Sequence, residues 1–87
     1  MMFRTHPVFN KMYAKLRAGE KRRFQERLIL FLEQSFNPLL RVHQLHGKYD
    51  GYWSINIGGD LRALYKYETS GMVVFAKIGT HHELFGS

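Results

Sequence analysis

Three stretches in the second half of the chain alternate between apolar and polar residues with the two-residue period of a β-strand. They are residues 52–57, 61–67 and 72–78, and glycine-containing turns join them. A shift of one residue would move every side chain of a strand to the opposite face, so the pairing of such strands is strongly constrained. The pattern predicts a three-stranded antiparallel meander with one apolar face.

The turn lengths predict the register of this meander. A three-residue turn at 58–60 keeps apolar residues together across the first hairpin and leaves Asn56 opposite Arg62 on the reverse face. A turn at 68–71 does the same for the second hairpin and brings Lys77 opposite Arg62. The predicted apolar pairs are Ile57 with Leu61, Ile55 with Ala63, Trp53 with Tyr65, Tyr67 with Met72, Tyr65 with Val74, Ala63 with Ala76 and Leu61 with Ile78.

The first half of the chain predicts a short strand over residues 2–5 and two amphipathic helices over residues 7–17 and 20–36. Apolar residues recur in both helices at intervals of three and four, a proline opens the first helix, and an Asn-Pro pair ends the second. Residues 39–46 are expected to form a connecting segment. Two helices packed on the apolar sheet face would complete a two-layer α+β fold, in a single domain spanning residues 1–87.

The charge of the chain favours a polyanionic partner. Thirteen lysines and arginines against seven acidic residues give a formal net charge of +6. Nucleic acid is the first expectation, an acidic protein the second and a membrane surface the third. The absence of cysteine excludes disulfides and thiolate metal ligands and favours a reducing compartment. No apolar stretch approaches the roughly 20 residues that cross a bilayer, and the first residues do not resemble a signal peptide, so we expect a cytoplasmic protein with no membrane partner.

Histidines flank the predicted meander at both ends. His43 and His46 precede its first strand, and His81 and His82 follow its last. A neutral imidazole exchanges a proton near working pH, so histidines brought to one basic sheet face suit acid–base catalysis. A single histidine in a basic loop is more often an ordinary polar surface residue. The spacing, without cysteine or a carboxylate in register, is a poor match to zinc sites, and no metal is expected.

Other polar positions on this face have both a structural and a functional interpretation. Arg62 and Lys77 would be like charges facing each other, which destabilises a sheet unless an anion lies between them or both extend into solvent. Asp60 forms the turn, pairs with Arg62 or exchanges a proton. Phe85 either anchors the C-terminal segment or stacks on a nucleobase.

These residue types fit RNA cleavage without a metal or a cofactor. A base removes the ribose 2′-OH proton, the oxygen attacks the adjacent phosphorus, cations stabilise the added negative charge, and an acid protonates the leaving 5′-oxygen. Histidine, arginine and lysine on one face would supply all three roles. The periodicity indicates the face and does not by itself establish the reaction.

Four motifs carry a family resemblance, of which the C-terminal one is the most specific. They are His43-Gln44-Leu45-x-Gly47, Gly51-Tyr52, Asp60-x-Arg62-x-Leu64-Tyr65 and Gly79-Thr80-His81-x-x-Leu84-Phe85-Gly86. With these motifs the chain resembles the RelE/ParE toxin superfamily, and most closely the YafQ-like mRNA interferases. The resemblance extends over nearly the whole chain, because the predicted helical hairpin fits it as well.

The resemblance implies a small RelE-like fold and a toxin of a type II toxin–antitoxin system. Such a toxin enters the ribosomal A site and cleaves mRNA, and a cognate antitoxin, expected to be acidic, holds it silent. The implied partners are therefore mRNA, the ribosome and the antitoxin, with no small-molecule cofactor. Carried onto matching positions, the resemblance implies that His43, Asp60, His81 and Phe85 are catalytic and that Arg62 contacts a phosphate.

One position departs from the family pattern. Asn56 stands where YafQ-like toxins carry a further histidine, and an amide cannot transfer a proton as an imidazole does. We expect Asn56 and Lys77 to contribute to RNA binding, and His46 or His82 to contact RNA and compensate for the missing imidazole. Two alternatives stay open: a ParE-like poison of DNA gyrase, which the C-terminal histidine and phenylalanine argue against, and a catalytically weak relative that binds RNA or the ribosome.

Overall fold

A computed structural model describes residues 1–86, which form a five-stranded sheet and three α-helices. The strand order is β1-β5-β4-β3-β2; β1 is parallel to β5, and every other neighbouring pair is antiparallel. The elements are β1 (Met2–Thr5), α1 (Pro7–Ala14), α2 (Ala18–Glu33), a 3-10 turn (Pro38–Leu40), β2 (His43–Gln44), a second 3-10 turn (Gly47–Tyr49), β3 (Trp53–Gly58), β4 (Leu61–Thr69), β5 (Met72–Thr80) and α3 (His81–Phe85). The two-layer α+β fold is confirmed, and β2 and α3 are additions to the prediction.

Both long helices end earlier than predicted, and local capping explains the boundaries. The carboxylate of Glu20 accepts a hydrogen bond from the Arg17 backbone N–H at 2.9 Å, so α2 begins at Ala18 rather than at the predicted residue 20. At the other end, Asn37 accepts a hydrogen bond from the Leu39 backbone N–H at 2.9 Å. This capping role, together with the proline that follows, requires a non-helical backbone at Asn37, so α2 ends at Glu33 rather than Phe36.

The core lies between the two helices and one face of the sheet, and aromatic rings dominate it. The ring centroids of Phe9, Phe24 and Phe31 lie 5.5–5.8 Å from that of Phe75 on β5. Their fully or almost fully buried partners on the sheet are Ile55, Ile57, Ala63, Tyr65, Val73 and Ile78. Burial raises the pKa of the Tyr65 phenol, since the apolar interior disfavours the phenolate. Within residues 1–86, none of the helices is long and apolar enough to cross a membrane.

The register of the first hairpin is largely as predicted. Trp53 faces Tyr65, Ile55 faces Ala63, and Asn56 faces Arg62. The prediction that Ile57 faces Leu61 is wrong, because Gly58 takes that place and the register shifts between Asn56 and Gly58. Gly58 and Gly59 have φ of 148° and 55°, which a glycine adopts without a steric penalty. The resulting bulge keeps both Ile57 and Leu61 in the core.

The predicted register of the second hairpin is wrong. Thr69 faces Met72 across a shorter turn, and two irregularities, after Leu64 and after Tyr67, adjust the register along the strands. As a consequence Tyr65 faces Phe75, Tyr67 faces Val73, Ala63 faces Ile78 and Leu61 faces Thr80.

This register also separates the two cations that were expected to face each other. Arg62 lies opposite Gly79, and Lys77 lies opposite Leu64. No like-charge pair is therefore forced across the strands.

Candidate functional site

A cleft of about 520 Å³ opens on the sheet face that turns away from the two long helices. Its base is apolar or weakly polar, because the lining residues Ser54 and Leu84 are buried. The segments around it are β2, the second 3-10 turn and α3. The lining residues are His43, Leu45, His46, Lys48, Tyr49, Ser54, Arg62, His81, Leu84 and Phe85.

Five of the predicted site residues line this single cleft, although they come from three separate parts of the chain. His43 and His46 come from β2 and the residues after it, Arg62 comes from β4, and His81 and Phe85 come from α3. The arrangement places three cleft-lining imidazoles and a guanidinium around one space. Such a set can exchange protons and hold an anion at the same time.

Asn56 and Asp60 do not line the cleft, but each contacts a residue that does. The side-chain oxygen of Asn56 accepts a hydrogen bond from Arg62 Nη1 at 3.0 Å. The backbone carbonyl of Asp60 accepts one from the His81 N–H at 3.2 Å, while the Asp60 side chain is exposed in the turn. Asn56 therefore acts on the cleft by holding the Arg62 side chain, and Asp60 acts on it by contacting the backbone of His81.

Lys77 and His82 also lie outside the cleft lining. The ammonium of Lys77 donates a hydrogen bond to the Tyr49 hydroxyl at 3.0 Å and lies 5.3 Å from the centre of that ring. His82 is exposed on α3, and its carbonyl accepts a hydrogen bond from the Gly86 N–H. Lys77 thus adds a positive charge next to Tyr49 in the cleft wall, whereas His82 is exposed and does not line the cleft.

A reciprocal cap forms the short helix that carries His81 and Phe85. The Thr80 hydroxyl accepts a hydrogen bond from the Glu83 N–H at 3.1 Å, and the Glu83 carboxylate accepts one from the Thr80 N–H at 2.7 Å. Gly86, with φ of 76°, ends the helix. One helical turn brings the His81 and Phe85 rings to a centroid distance of 4.8 Å. The Thr-x-x-Glu spacing followed by glycine is the sequence signal from which this helix was predictable.

Tyr49 is a cleft residue that the sequence analysis did not single out. Its hydroxyl donates a hydrogen bond to the Leu84 carbonyl at 3.1 Å and accepts the one from Lys77. Its ring stands edge-on to Phe85, with centroids 5.6 Å apart and planes at 88°. Tyr49 therefore joins the turn after β2 to α3. A large aromatic residue in an otherwise polar turn was the available signal.

His43 is held by the backbone on either side of it. As part of β2 it lies opposite Ser54 of β3, and its Nδ1 lies 2.9 Å from the carbonyl oxygen of Arg41. Because a carbonyl only accepts, this bond requires a hydrogen on Nδ1. In the neutral ring the lone pair is then on Nε2, the nitrogen that can take a proton from another molecule.

Arg62 keeps its positive charge without an acidic partner. Its Nη1 donates to Asn56 and to the Gly59 and Leu61 carbonyls at 3.0–3.3 Å. All three acceptors are neutral, and no carboxylate within residues 1–86 forms an ion pair with this guanidinium. The guanidinium is therefore held in one orientation while its charge is not neutralised. A side chain that binds an anion needs both properties.

Two further observations bear on what the cleft can hold. The hydroxyl of Ser54 is buried and has no hydrogen-bond partner within residues 1–86. In the same part of the chain, no group of three or more histidine, aspartate or glutamate side chains is arranged to hold a metal ion. The polar groups assembled at the cleft are imidazoles, cations and hydroxyls.

Comparison with known proteins gives one family and several structural relatives. The family model described as "Bacterial toxin of type II toxin-antitoxin system, YafQ" matches residues 1–86. No curated protein matches the chain.

Three solved structures illustrate the likeness in fold. A YafQ mutant from E. coli is 22% identical, with 97% of each chain covered and a TM-score of 0.80. A YoeB/ParE toxin from Agrobacterium tumefaciens is 20% identical over 93% of this chain and 99% of that one, with a TM-score of 0.76. The E. coli DinJ–YafQ toxin–antitoxin complex contains a chain that is 22% identical over 97% of this chain and 96% of that one, with a TM-score of 0.74. At these identities the likeness establishes the fold.

Proposed function

Because this chain belongs to the YafQ family of bacterial toxins of type II toxin–antitoxin systems, we propose that it is an endoribonuclease that cleaves mRNA in the ribosomal A site. The observation that carries the proposal is the convergence of His43, Arg62 and His81 on one cleft. The substrate is translated mRNA, so the site of action is the cytoplasm. The net charge of +6 supports a partner made of RNA.

In the proposed reaction, His43 is the general base. Its Nδ1 is bonded to a carbonyl, which leaves Nε2 to take the proton from the ribose 2′-OH. The freed oxygen attacks the adjacent phosphorus, and the bond from phosphorus to the 5′-oxygen breaks. His81 is the general acid that returns a proton to this leaving oxygen. The two imidazoles line the same cleft from different segments, as a transfer to and from opposite sides of a phosphate requires.

Arg62 is proposed to stabilise the negative charge that develops on the phosphate. Its guanidinium is oriented by neutral oxygen atoms only, so its charge is available to an anion. Lys48 lines the same cleft, and Lys77 adds charge behind Tyr49. Phe85 presents a ring at the cleft wall on which a nucleobase can stack. Asp60 is proposed to contribute to catalysis beside His81, because its backbone carbonyl accepts a hydrogen bond from the His81 N–H.

A cognate antitoxin is the second proposed partner. The E. coli YafQ of similar fold occurs in a complex with the antitoxin DinJ. We expect an equivalent antitoxin here to be acidic, because the charge of the chain favours an anionic protein surface. Co-expression of such a protein should restore growth to cells that express the toxin.

The experiment that tests the function is primer extension on mRNA from expressing cells. The wild type is compared with His81→Ala and with His82→Ala, a neighbouring exposed histidine outside the cleft. We expect cleavage by the wild type and by His82→Ala, and a loss of about 100-fold or more for His81→Ala. Both variants must retain the wild-type circular dichroism spectrum.

Three results would contradict the proposal. Intact transcripts in cells that express folded wild-type protein would indicate that the chain is a non-catalytic relative of the toxins. DNA breaks that depend on gyrase, without mRNA cuts, would favour a ParE-like poison. Equal losses of cleavage in His81→Ala and His82→Ala would remove the cleft as the site of the reaction.

A further inference from the structure

Arg41 has a backbone conformation that is unusual for its residue type. Its φ and ψ are 47° and 48°, in the left-handed region, and it is the single non-glycine residue with positive φ within residues 1–86. An L-residue with a side chain is uncommon there, because its Cβ approaches the following carbonyl oxygen. Such a conformation persists where the surrounding structure imposes it, and such residues cluster at functional sites.

The segment before Arg41 imposes this conformation. Asn37 caps the 3-10 turn at its start, and the Arg41 N–H donates to the Pro38 carbonyl at 3.2 Å and closes the turn at its end. Leu40 is completely buried and anchors the turn in the core. A left-handed residue after a helical turn reverses the chain direction, and here it leads the chain into β2.

The reversal has a consequence for His43, two residues further on. It directs the Arg41 carbonyl oxygen at the His43 imidazole, with 2.9 Å between the oxygen and Nδ1. The bond requires an Nδ1 hydrogen both in the neutral ring and in the imidazolium, so it holds the ring in one orientation while Nε2 gains and loses a proton. The Arg41 side chain is exposed, and the contact is made entirely by its backbone.

We propose that Arg41 is a positioning residue whose left-handed backbone fixes His43 in the Nδ1–H tautomer, with Nε2 turned to substrate. The role of Arg41 in catalysis rests on the proposed nuclease function. The tautomer of His43 does not depend on catalysis and can be measured without it. The proposal concerns a residue that no family motif in this chain includes. The requirement is for a backbone conformation, so it predicts which substitutions are tolerated.

The test compares three substitutions that all remove the arginine charge. Arg41→Gly adopts the left-handed region freely, Arg41→Asn tolerates it, and Arg41→Val disfavours it strongly. The tautomer of His43 is measured by long-range ¹H–¹⁵N correlation spectroscopy, at a pH of about 8.5 so that imidazoles with an ordinary pKa near 6.5 are neutral. Cleavage of mRNA on ribosomes and thermal unfolding are measured on the same proteins.

We expect a pyrrole-type Nδ1 and a pyridine-type Nε2 for His43 in the wild type, Arg41→Gly and Arg41→Asn. These three should cleave at similar rates. In Arg41→Val we expect a mixture of tautomers and cleavage reduced by about tenfold, a part of the 10²–10⁴ that general acid–base catalysis contributes. If Arg41→Val does not fold, Arg41→Ala serves in its place, because alanine also carries the Cβ that crowds the left-handed region.

The outcomes separate this proposal from the function on which it rests. A wild-type His43 with its hydrogen on Nε2 would overturn the positioning role even if the protein cleaves mRNA. Retention of the Nδ1–H tautomer in a folded Arg41→Val would also overturn it. If the wild type cleaves nothing but the tautomer follows the backbone preference of residue 41, the positioning role stands and the nuclease function falls.

Discussion

The hydroxyl of Tyr49 donates a hydrogen bond to the backbone carbonyl of Leu84, 3.1 Å away. This bond joins the 3-10 turn after β2 to the C-terminal helix, two elements separated by the whole meander. The edge-on contact of the Tyr49 and Phe85 rings reinforces the connection. The two histidine-bearing ends of the sheet are therefore held at a fixed separation across the cleft.

The substitution Tyr49→Phe should separate the contribution of the hydrogen bonds to stability from that of the ring contact. It removes the bonds to Leu84 and Lys77 and keeps the aromatic ring. We expect a loss of about 1 kcal/mol in the free energy of unfolding, or a fall of about 4–8 °C in Tm for a domain of this size. Tyr52→Phe is the matched control, because the Tyr52 hydroxyl forms no hydrogen bond within residues 1–86. Equal effects of the two substitutions in thermal unfolding would contradict this account of Tyr49.

A methyl group added at Gly79 should disturb the cap of α3. A Cβ at this position would lie 3.0 Å from the Glu83 carboxylate oxygen and 3.3 Å from Glu83 Cβ, and that carboxylate is held by the Thr80 N–H. Relief of the crowding requires the cap to open, so we expect Gly79→Ala to cost about 1 kcal/mol in unfolding free energy. Cleavage should fall as well, since His81 is the first residue of this helix.

The control for this substitution is Gly19→Ala. Gly19 lies in the first turn of α2, and no heavy atom lies within 4 Å of its would-be Cβ. Alanine there should raise stability by about 0.5 kcal/mol through the unfolded state. Urea denaturation of both variants measures whether Gly79→Ala lowers and Gly19→Ala raises the free energy of unfolding. A stabilising Gly79→Ala would show that the cap is not crowded.

The sequence pattern predicted the layers and the convergence of the site, but not the second hairpin. Its register was argued from the requirement that one face be apolar, and this requirement was correct for Ile55, Ala63 and Tyr65. It failed further on, because Leu64 and Val74 are buried too, on the opposite face. When both faces bury apolar side chains, alternation no longer selects a register, and local irregularities such as those beside Leu64 and Tyr67 become possible.

The parts of the site that the sequence did not reveal depend on tertiary contacts. The position of Tyr49 against Leu84 follows from how the turn after β2 folds back over the sheet, which no local pattern encodes. The left-handed Arg41 lies in a segment predicted only as a connection, and its conformation depends on the burial of Leu40. By contrast, α3 carried its signal in Thr80 and Glu83, and a search for capping motifs would have found it.

The ion pair between Arg4 and Glu68 should make part of the stability dependent on pH. The two side chains join the edge strand β1 to β4 across β5. The hydrogen bond and the charge of Arg4 lower the pKa of the Glu68 carboxyl from its ordinary value of 4.5. The folded state therefore favours the ionised form, so the stabilisation is complete above pH 4.5 and is lost as the pH falls through the lower pKa of the folded state.

Thermal unfolding of the wild type and Glu68→Gln across this range checks the sign. We expect the wild type to have the higher Tm at pH 7 and the difference to disappear in acid. Both side chains are exposed, so added salt should reduce the difference at pH 7 as well. A difference that grows as the pH falls would contradict the assignment.

The last prediction concerns the amide that replaces a family histidine. Asn56 binds Arg62 through its side-chain oxygen and lies outside the cleft lining, whereas His46 lies within it and His82 does not. If His46 supplies the missing imidazole, His46→Ala should lower mRNA cleavage by about tenfold, and His82→Ala should leave it unchanged. The double variant Asn56→His with His46→Ala should then regain part of the lost rate, since an imidazole returns to the position next to Arg62. Ribosome-dependent cleavage by the four proteins measures this, with circular dichroism as the check on folding. Cleavage at the wild-type rate by both His46→Ala and His82→Ala would end the compensation hypothesis.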